Sequence, residues 1–250
     1  MLRYFCIATM LVTTTACAST DSTSTSASDV SDPFEGVNRR VFAFNEAADK
    51  AVIGPVARAY GVVTPEIART GISNALSNLN QPVVFANDVL QGESERAGDS
   101  FYRFFVNSTI GILGFWDAAA HFGVEGHSED FGQTLAVWGV DPGPFLVLPF
   151  LGPSNVRDLA GTGVDAAINP INYVEFGNDA DVNLAVRGSM GVLGALNARL
   201  LFDDAIQTLR EQPEPYIAYR RIYSQTRDAA IRNGREEEDP YKDLPEFDDF

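Results

Sequence analysis

The first sixteen residues of the chain form a short apolar segment that limits where the rest of the chain can fold. They read MLRYFCIATMLVTTTA, with one positive charge at Arg3, an apolar middle and small residues at the end. This pattern is typical of an export signal, and the apolar run is too short for a helix that spans a membrane. We therefore predict that residues 1–16 are removed and that the mature chain folds outside the cytoplasm.

Cys17 stands directly after this signal and directly before a Ser/Thr-rich stretch. Its position is similar to that of the acylated cysteine in bacterial lipoprotein signals, although Thr14 stands where such signals prefer Leu. We predict that Cys17 carries a lipid anchor, since several acyl chains bind a membrane far more firmly than one. The alternative is ordinary cleavage after Ala16, which leaves a free thiol. By resemblance to enteric lipoproteins, Ala18 favours sorting to the outer membrane.

The composition excludes several kinds of partner and site. A formal charge of −16 leaves no basic face for a nucleic acid, so none is expected as a partner. The only other cysteine, Cys6, lies in the segment that we expect to be removed. The mature chain therefore has no second thiol with which Cys17 could form a disulfide or a metal site.

Enzyme motifs are also missing from the sequence. His121 and His127 show no metal-ligand spacing, and no phosphate-binding loop is found. The stretch at residues 187–191, RGSMG, lacks the spacing of a nucleophile elbow. We predict no catalytic residue, no metal ion and no cofactor. A periplasmic hydrolase that uses His127 or Ser189 stays as an alternative.

Composition divides the chain into four parts. After the signal, residues 17–32 contain the lipidated cysteine and a flexible linker, and residues 33–234 hold the apolar content of one domain. Residues 235–250 contain eight acidic and two basic side chains, which predicts a disordered acidic tail.

Helical patterns dominate the domain. Asp32-Pro33-Phe34-Glu35 and Thr64-Pro65-Glu66 each combine a capping residue, a proline in the first turn and an acid, which is typical of a helix start. Apolar spacing predicts helices over residues 33–50, 66–79, 82–91, 94–108, 193–209 and 216–223. Because alternation with a period of two is scarce, the predicted fold class is all-α.

Two uncharged segments do not suit an ordinary soluble bundle. They cover residues 104–116 and residues 142–156, and neither is long enough to span a bilayer. One interpretation is a buried helix and a buried loop; the other is contact with a bilayer or, for the proline-rich segment, with a membrane partner. For the second interpretation, the side chains predicted to face the membrane are Phe115, Trp116, Phe145, Leu146, Leu148 and Phe150.

An ordered set of short motifs resembles the MlaA (VacJ) family over about residues 32–235. The motifs are DPFEGVNR at 32–39, FAFN at 42–45, NALSNL at 74–79, QP at 81–82, LQG at 90–92, RFFVNSTIG at 103–111, EDFGQTL at 129–135, WGV at 138–140, GPF at 143–145, LPFLGPS at 148–154 and RD at 157–158. A single motif of this kind carries little information, whereas the whole set in this order is specific.

The resemblance implies a ring-shaped helical domain embedded in the inner leaflet of the outer membrane, with a polar channel through the ring. It implies transport of phospholipid from the outer leaflet to a periplasmic carrier protein of the Mla type, and docking on a trimeric porin in enteric members. An envelope lipoprotein that scaffolds a porin without conducting lipid is the alternative function.

Within this resemblance we expect Phe42, Phe44 and Asn45 to lie near the channel or its gate. Ordinary core packing beside a solvated face is an equal alternative for these three residues.

For several other residues two interpretations remain open. Arg103, Arg157 and Asp158 either pair internally or meet a phosphate, and internal pairing is favoured. Trp116 and Trp138 lie either at a lipid–water boundary or in the core.

Overall fold

The computed structural model describes residues 31–175, residue 177 and residues 179–233. The signal peptide, Cys17, nearly all of the linker and the acidic tail lie outside these described residues. Within them, the prediction of a helical fold is confirmed. The helices are α1 (Glu35–Ala48), α2 (Gly54–Val63), α3 (Glu66–Gln91), α4 (Ser94–Thr109), α5 (Ala118–His121), α6 (Phe131–Val137), α7 (Val156–Ile168), α8 (Ala180–Leu201), α9 (Asp203–Arg210) and α10 (Pro215–Ile231).

The first helix begins slightly later and extends further than predicted. Pro33 and Phe34 lie in a turn, and helical bonding starts at Glu35. A π-helical segment (Asp49–Ile53) then joins α1 to α2 without a break, so helical backbone continues to Val63. The wider π turn changes which faces of α1 and α2 are aligned.

The two helices predicted around residue 80 are one continuous helix. α3 starts at Glu66, as the Thr64-Pro65-Glu66 motif predicted, and passes through Pro82 to Gln91. Proline removes one helical hydrogen bond, but packing along a neighbouring helix offsets that loss. The neighbour is α4, which runs antiparallel to α3 after a left-handed turn at Gly92.

A β-hairpin interrupts the helical fold, and the sequence did not predict it. Strand β1 (Phe145–Leu148) pairs antiparallel with β2 (Gly152–Asn155), with Phe145 opposite Asn155 and Leu148 opposite Gly152. The prediction that Phe145 faces the membrane is wrong, because its side chain is 0% exposed. Alternation along β1 turns Phe145 inward against the aromatic rings of Tyr216 and Tyr223 on α10.

The C-terminal helices differ from the prediction in their division. The single helix expected over residues 193–209 starts earlier, at Ala180, and is interrupted at Phe202, so that α8 and α9 are separate. The last helix begins at Pro215 and contains Tyr216, Tyr219 and Tyr223, as the spacing of these tyrosines predicted.

The distribution of polar and apolar side chains is the reverse of that in a soluble domain. Within the described part of the chain, 11 buried residues are apolar and 16 are polar or charged. Large apolar side chains are instead exposed on many elements, whereas soluble domains bury such residues first. None of the helices in the described ranges has the length and apolar character needed to cross a membrane.

Candidate functional site

A cavity of about 790 Å³ lies between α1, α2, the hairpin and the C-terminal helices. Its walls are mostly apolar, and it is open to the outside. The apolar part of its lining is Phe42, Val52, Ile53, Val56, Phe150, Leu151, Pro153, Val192, Ala195, Leu196, Ala198, Phe202, Ile206, Leu209 and Tyr219. A volume of this size is in the range of small-molecule binding sites.

Charged side chains form one part of the cavity wall. Arg199 of α8 makes a bidentate pair with Asp49, from Nε to Oδ1 at 2.6 Å and from Nη2 to Oδ2 at 2.9 Å. Arg210 of α9 donates to Glu46 at 2.8 Å and to Asp49 at 2.6 Å. Arg199 also donates to Asp203 at 2.6 Å. These pairs join α1 and the π-helical segment to α8 and α9 at the cavity wall.

The same contacts determine the protonation of Asp49. Burial alone would raise the pKa of this carboxyl group, but hydrogen bonds from Arg199 and Arg210 outweigh burial and hold the pKa below its usual value. Asp49 is therefore ionised at neutral pH. In turn, its hydrogen bonds raise the pKa of Arg199.

The hairpin closes the cavity on another side. Asn45 donates from Nδ2 to the carbonyl oxygen of Leu148 at 2.9 Å. The turn residue Phe150 is 67% exposed, and its ring meets the edge of Phe44 with 5.2 Å between centroids. Phe42, on the opposite side of α1, packs against Tyr219 at 5.1 Å. Hydrogen bonds and ring contacts thus hold the hairpin against α1.

Comparison with known proteins places this architecture in a family. The family model described as MlaA lipoprotein matches residues 30–230. The chain belongs to the MlaA lipoprotein family. Curated relatives include the intermembrane phospholipid transport system lipoprotein MlaA of Escherichia coli K12, which is 33% identical over 210 residues covering 82% of this chain and 80% of that protein. The Haemophilus influenzae protein of the same name is 31% identical over 226 residues, covering 88% and 87%.

Further similarity comes from an uncharacterised protein and a solved structure. The protein from Rickettsia typhi is 33% identical over 205 residues, covering 82% of this chain and 79% of that protein. The solved structure concerns the structural basis for maintenance of bacterial outer membrane lipid asymmetry. It has a TM-score of 0.71 and 33% identity, and it covers 80% of this chain and 99% of the solved chain. The helical fold of this chain is thus shared with that solved structure.

The residues predicted to lie near the channel are brought together only in part. Phe42 and Asn45 line the cavity, and Phe150 lines it from the hairpin. Phe44 is outside the lining but contacts Phe150. A channel or gate role for Phe42, Phe44 and Asn45 stays a prediction.

The residues predicted to face the membrane have different exposures. Phe115, Trp116 and Phe150 are exposed, while Leu146 and Leu148 are half-buried on the outer face of β1. Trp138 is also exposed, so neither tryptophan is buried in a core.

Sequence reasoning missed the charged wall of this MlaA cavity. Arg199 lies inside the helix predicted over residues 193–209 and Arg210 directly after it, and we interpreted that helix only by its apolar residues. A weak signal was present, because Glu46 and Asp49 are three residues apart and therefore share one face of a helical segment. Their basic partners are about 150 residues away along the chain, so local spacing could not identify them.

Internal pairing of the motif residues is confirmed. Arg103 donates to Asp117 at 2.8 Å, and Arg157 contacts Asp158 at 3.0 Å. Asp158 also accepts from Nη2 of Arg227 on α10 at 3.0 Å. Arg227 forms two further hydrogen bonds with Asp130, which outweigh burial and lower the pKa of that carboxyl group.

A buried cluster contains Ser100, His127 and Asp88 but lacks the geometry of a catalytic triad. Ser100 donates to Asp88 at 2.6 Å, and Nε2 of His127 lies 3.2 Å from Ser100 and 3.0 Å from Asp88. In a triad, serine and aspartate contact opposite nitrogens of the imidazole, whereas here both contact the same nitrogen. Ser189, the other serine considered, donates to the carbonyl oxygen of Val186.

Proposed function

We propose that this protein removes phospholipids from the outer leaflet of the outer membrane and passes them to a periplasmic carrier protein of the Mla type. Family membership supports this function, because the relatives in Escherichia coli and Haemophilus influenzae are named as intermembrane phospholipid transport lipoproteins. The protein acts in lipid transport without catalysing a reaction. Phospholipid is its cargo, and nucleic acid is not a partner.

The observation that carries the proposal is the reversed distribution of polarity. Polar and charged side chains are more numerous than apolar ones among the buried residues of the described ranges. A protein of this kind is stable where hydrocarbon, rather than water, covers its apolar exterior. The helices then form a ring in one leaflet of the bilayer, with the cavity in its interior.

The cavity supplies what a phospholipid needs to move between leaflets. An unpaired charged headgroup costs tens of kcal/mol to place in hydrocarbon in the idealised limit of about ε = 4. The wall that contains Glu46, Asp49 and Arg199 offers polar partners to the headgroup, while the apolar walls accept acyl chains. This combination lowers the barrier for an amphiphile more than for a purely polar or purely apolar molecule.

Apolar anchoring supports the membrane position. Ile112 and Leu113 adopt left-handed backbone angles, with φ of 53° and 58°, and their side chains are 74% and 76% exposed. Such angles are strained for these residues, and strain of this kind occurs at functional sites. The tip formed by Ile112 and Leu113, beside Phe115 and Trp116, inserts into acyl chains.

The lipid on Cys17 holds the domain on the periplasmic side of the outer membrane, and a trimeric porin is a further partner.

The experiment is deletion and complementation in the native cell. Deletion is expected to raise the amount of outer-leaflet phosphatidylethanolamine that reacts with a membrane-impermeant amine reagent. Complementation with the wild-type gene is expected to return outer-leaflet phosphatidylethanolamine to its normal amount, whereas complementation with the Cys17→Ser variant is not. An unchanged outer leaflet after deletion contradicts transport and favours a scaffold that conducts no lipid.

A further inference from the structure

A second, smaller cavity adjoins the first one along α1. It has a volume of about 420 Å³ and shares Phe42 and Glu46 with the larger cavity. Its lining is Phe42, Ala43, Glu46, Ala47, Lys50, Arg210 and Pro215. The two cavities therefore lie on adjacent faces of one helix; both are mostly apolar, and the second is bordered by Lys50 and Arg210.

Two cations converge on a single oxygen atom in this second cavity. Nζ of Lys50 lies 3.3 Å from Oε2 of Glu46, and Nε of Arg210 lies 2.8 Å from the same oxygen. Lys50 projects into solvent, with its side chain 61% exposed. It is one of only two lysines in the sequence, the other being Lys242.

Both cations retain capacity for another ligand. Nε and Nη2 of Arg210 are used by Glu46 and Asp49, and Nη1 has no hydrogen-bond partner among the described residues. Lys50 has three donors, and Glu46 is its one ion-pair partner within the same ranges. The charged side chains that line the second cavity are Lys50, Arg210 and Glu46, and Arg210 also pairs with Asp49 of the larger cavity.

The start of α10 also borders the second cavity. Pro215, the first residue of this 17-residue helix, forms part of the cavity wall. The first amide groups of a helix have no acceptor within the helix, and the helix dipole is positive at that end. Pro215 has no N–H, and the carboxylate of Glu214 lies at the same helix end, 3.5 Å from Arg39, so the capacity for an anion rests on Lys50 and Arg210.

We propose that the second cavity binds the phosphodiester headgroup of a glycerophospholipid, with Lys50 and Arg210 contacting the phosphate while the acyl chains occupy the larger cavity. This inference rests on the proposed transport function and assigns its headgroup site. A guanidinium and an ammonium group both bind phosphate oxygens through charge-assisted hydrogen bonds. Glu46, which lies on the wall between the cavities, holds both cations in place before the phosphate arrives.

The test measures the binding of three probes to the full-length protein in detergent. They are diheptanoyl phosphatidylethanolamine, diheptanoylglycerol, which has the same tails without a phosphate, and inorganic phosphate. Lys50→Glu is the test variant, Lys50→Arg retains the charge, and Arg221→Glu reverses an exposed charge on α10 outside the cavity lining. Because Lys50 is exposed, its replacement leaves the fold intact, and thermal unfolding of each variant checks this.

Lys50→Glu is expected to weaken phospholipid binding by about tenfold or more, as expected for loss of a charge-assisted contact. Binding of diheptanoylglycerol stays within twofold in all variants, and Lys50→Arg and Arg221→Glu bind phospholipid like the wild type. Unchanged phospholipid binding by Lys50→Glu overturns the headgroup site but leaves transport intact. Inorganic phosphate that binds as tightly as the phospholipid also overturns it, since the site then serves a free anion. Failure of the wild type to bind either lipid contradicts the transport function itself.

Discussion

Asn45 accepts a hydrogen bond at 2.9 Å from the backbone N–H of Phe150, at the turn of the hairpin. Phe150 has a φ of 62°, a left-handed conformation that costs free energy for a residue with a bulky side chain. The same side-chain amide donates to Leu148, so Asn45 bonds to both sides of the strained turn. One polar side chain on α1 thus sets the position of an apolar ring at the cavity mouth.

Loss of this contact should release the turn. Asn45→Ala removes one donor and one acceptor, and we expect the local opening free energy of the turn to fall by about 1–2 kcal/mol. Hydrogen exchange at the amide of Phe150 should accelerate about tenfold, as measured by mass spectrometry. Ser189→Ala, an exposed change on α8, is the control. Unchanged exchange in Asn45→Ala means that the turn is held by other contacts.

Two glycines on α7 should respond oppositely to the same substitution. A Cβ atom at Gly161 would lie 2.3 Å from the backbone nitrogen of Gly132 on α6, so Gly161→Ala should destabilise the protein by about 3 kcal/mol. A Cβ at Gly163 meets nothing within 4 Å, and Gly163→Ala should stabilise the helix by about 0.5–1 kcal/mol. Thermal unfolding of both variants in one detergent measures the sign of each stability change. Equal shifts of the unfolding midpoint in the two variants contradict the close approach of α6 and α7.

The ionised state of Asp49 predicts a dependence of stability on pH. Since its pKa is lower in the folded protein than in the unfolded chain, its stabilising contribution is complete above the unfolded pKa of about 3.9. The contribution is lost as the pH falls through the lower, folded value. Asp49→Asn, which removes the charge that pairs with buried Arg199 and half-buried Arg210, should cost about 3 kcal/mol at pH 7.

The measurement is the midpoint of thermal unfolding between pH 7 and pH 3. The difference between wild type and Asp49→Asn should be constant down to about pH 5 and shrink below about pH 4. Asp204→Asn, which changes an exposed acid on α9, should match the wild type throughout. A difference that grows on acidification contradicts the assignment.

Insertion of the tip around Ile112 should be visible through Trp116. In a Trp138→Phe background Trp116 is the only tryptophan, and phospholipids with brominated acyl chains should quench its emission in vesicles. Leu113→Asp should reduce this quenching severalfold, because a charge in hydrocarbon is costly. Vesicles without bromine are the control, and equal emission in both kinds of vesicle places the tip in water.

Local signals in the sequence predicted most of the helices. Thr64-Pro65-Glu66 marked the start of α3, because proline and a first-turn acid act through neighbouring residues alone. The hairpin could not be predicted in this way. Its segment has little alternation, and its edge is bonded by Asn38 and Asn45, which lie more than 100 residues earlier in the chain.

The candidate site was predictable only through resemblance. The motif that contains Phe42 and Asn45 lies on the part of α1 where both side chains line the cavity, and their channel role stays a prediction. The charged wall depends on Arg199 and Arg210, which reach Asp49 across the fold. Pairing over such distances follows from tertiary packing, about which periodicity carries no information.

Photo-crosslinking inside the cell tests the central claim, that phospholipid occupies the cavity, most directly. A photoreactive amino acid is placed at Leu196, on the apolar wall, and as a control at Asp204, which is exposed on α9. After irradiation, mass spectrometry of the purified protein should find phospholipid adducts at position 196 and few at position 204. The absence of phospholipid at position 196, or equal yields at both positions, contradicts the account.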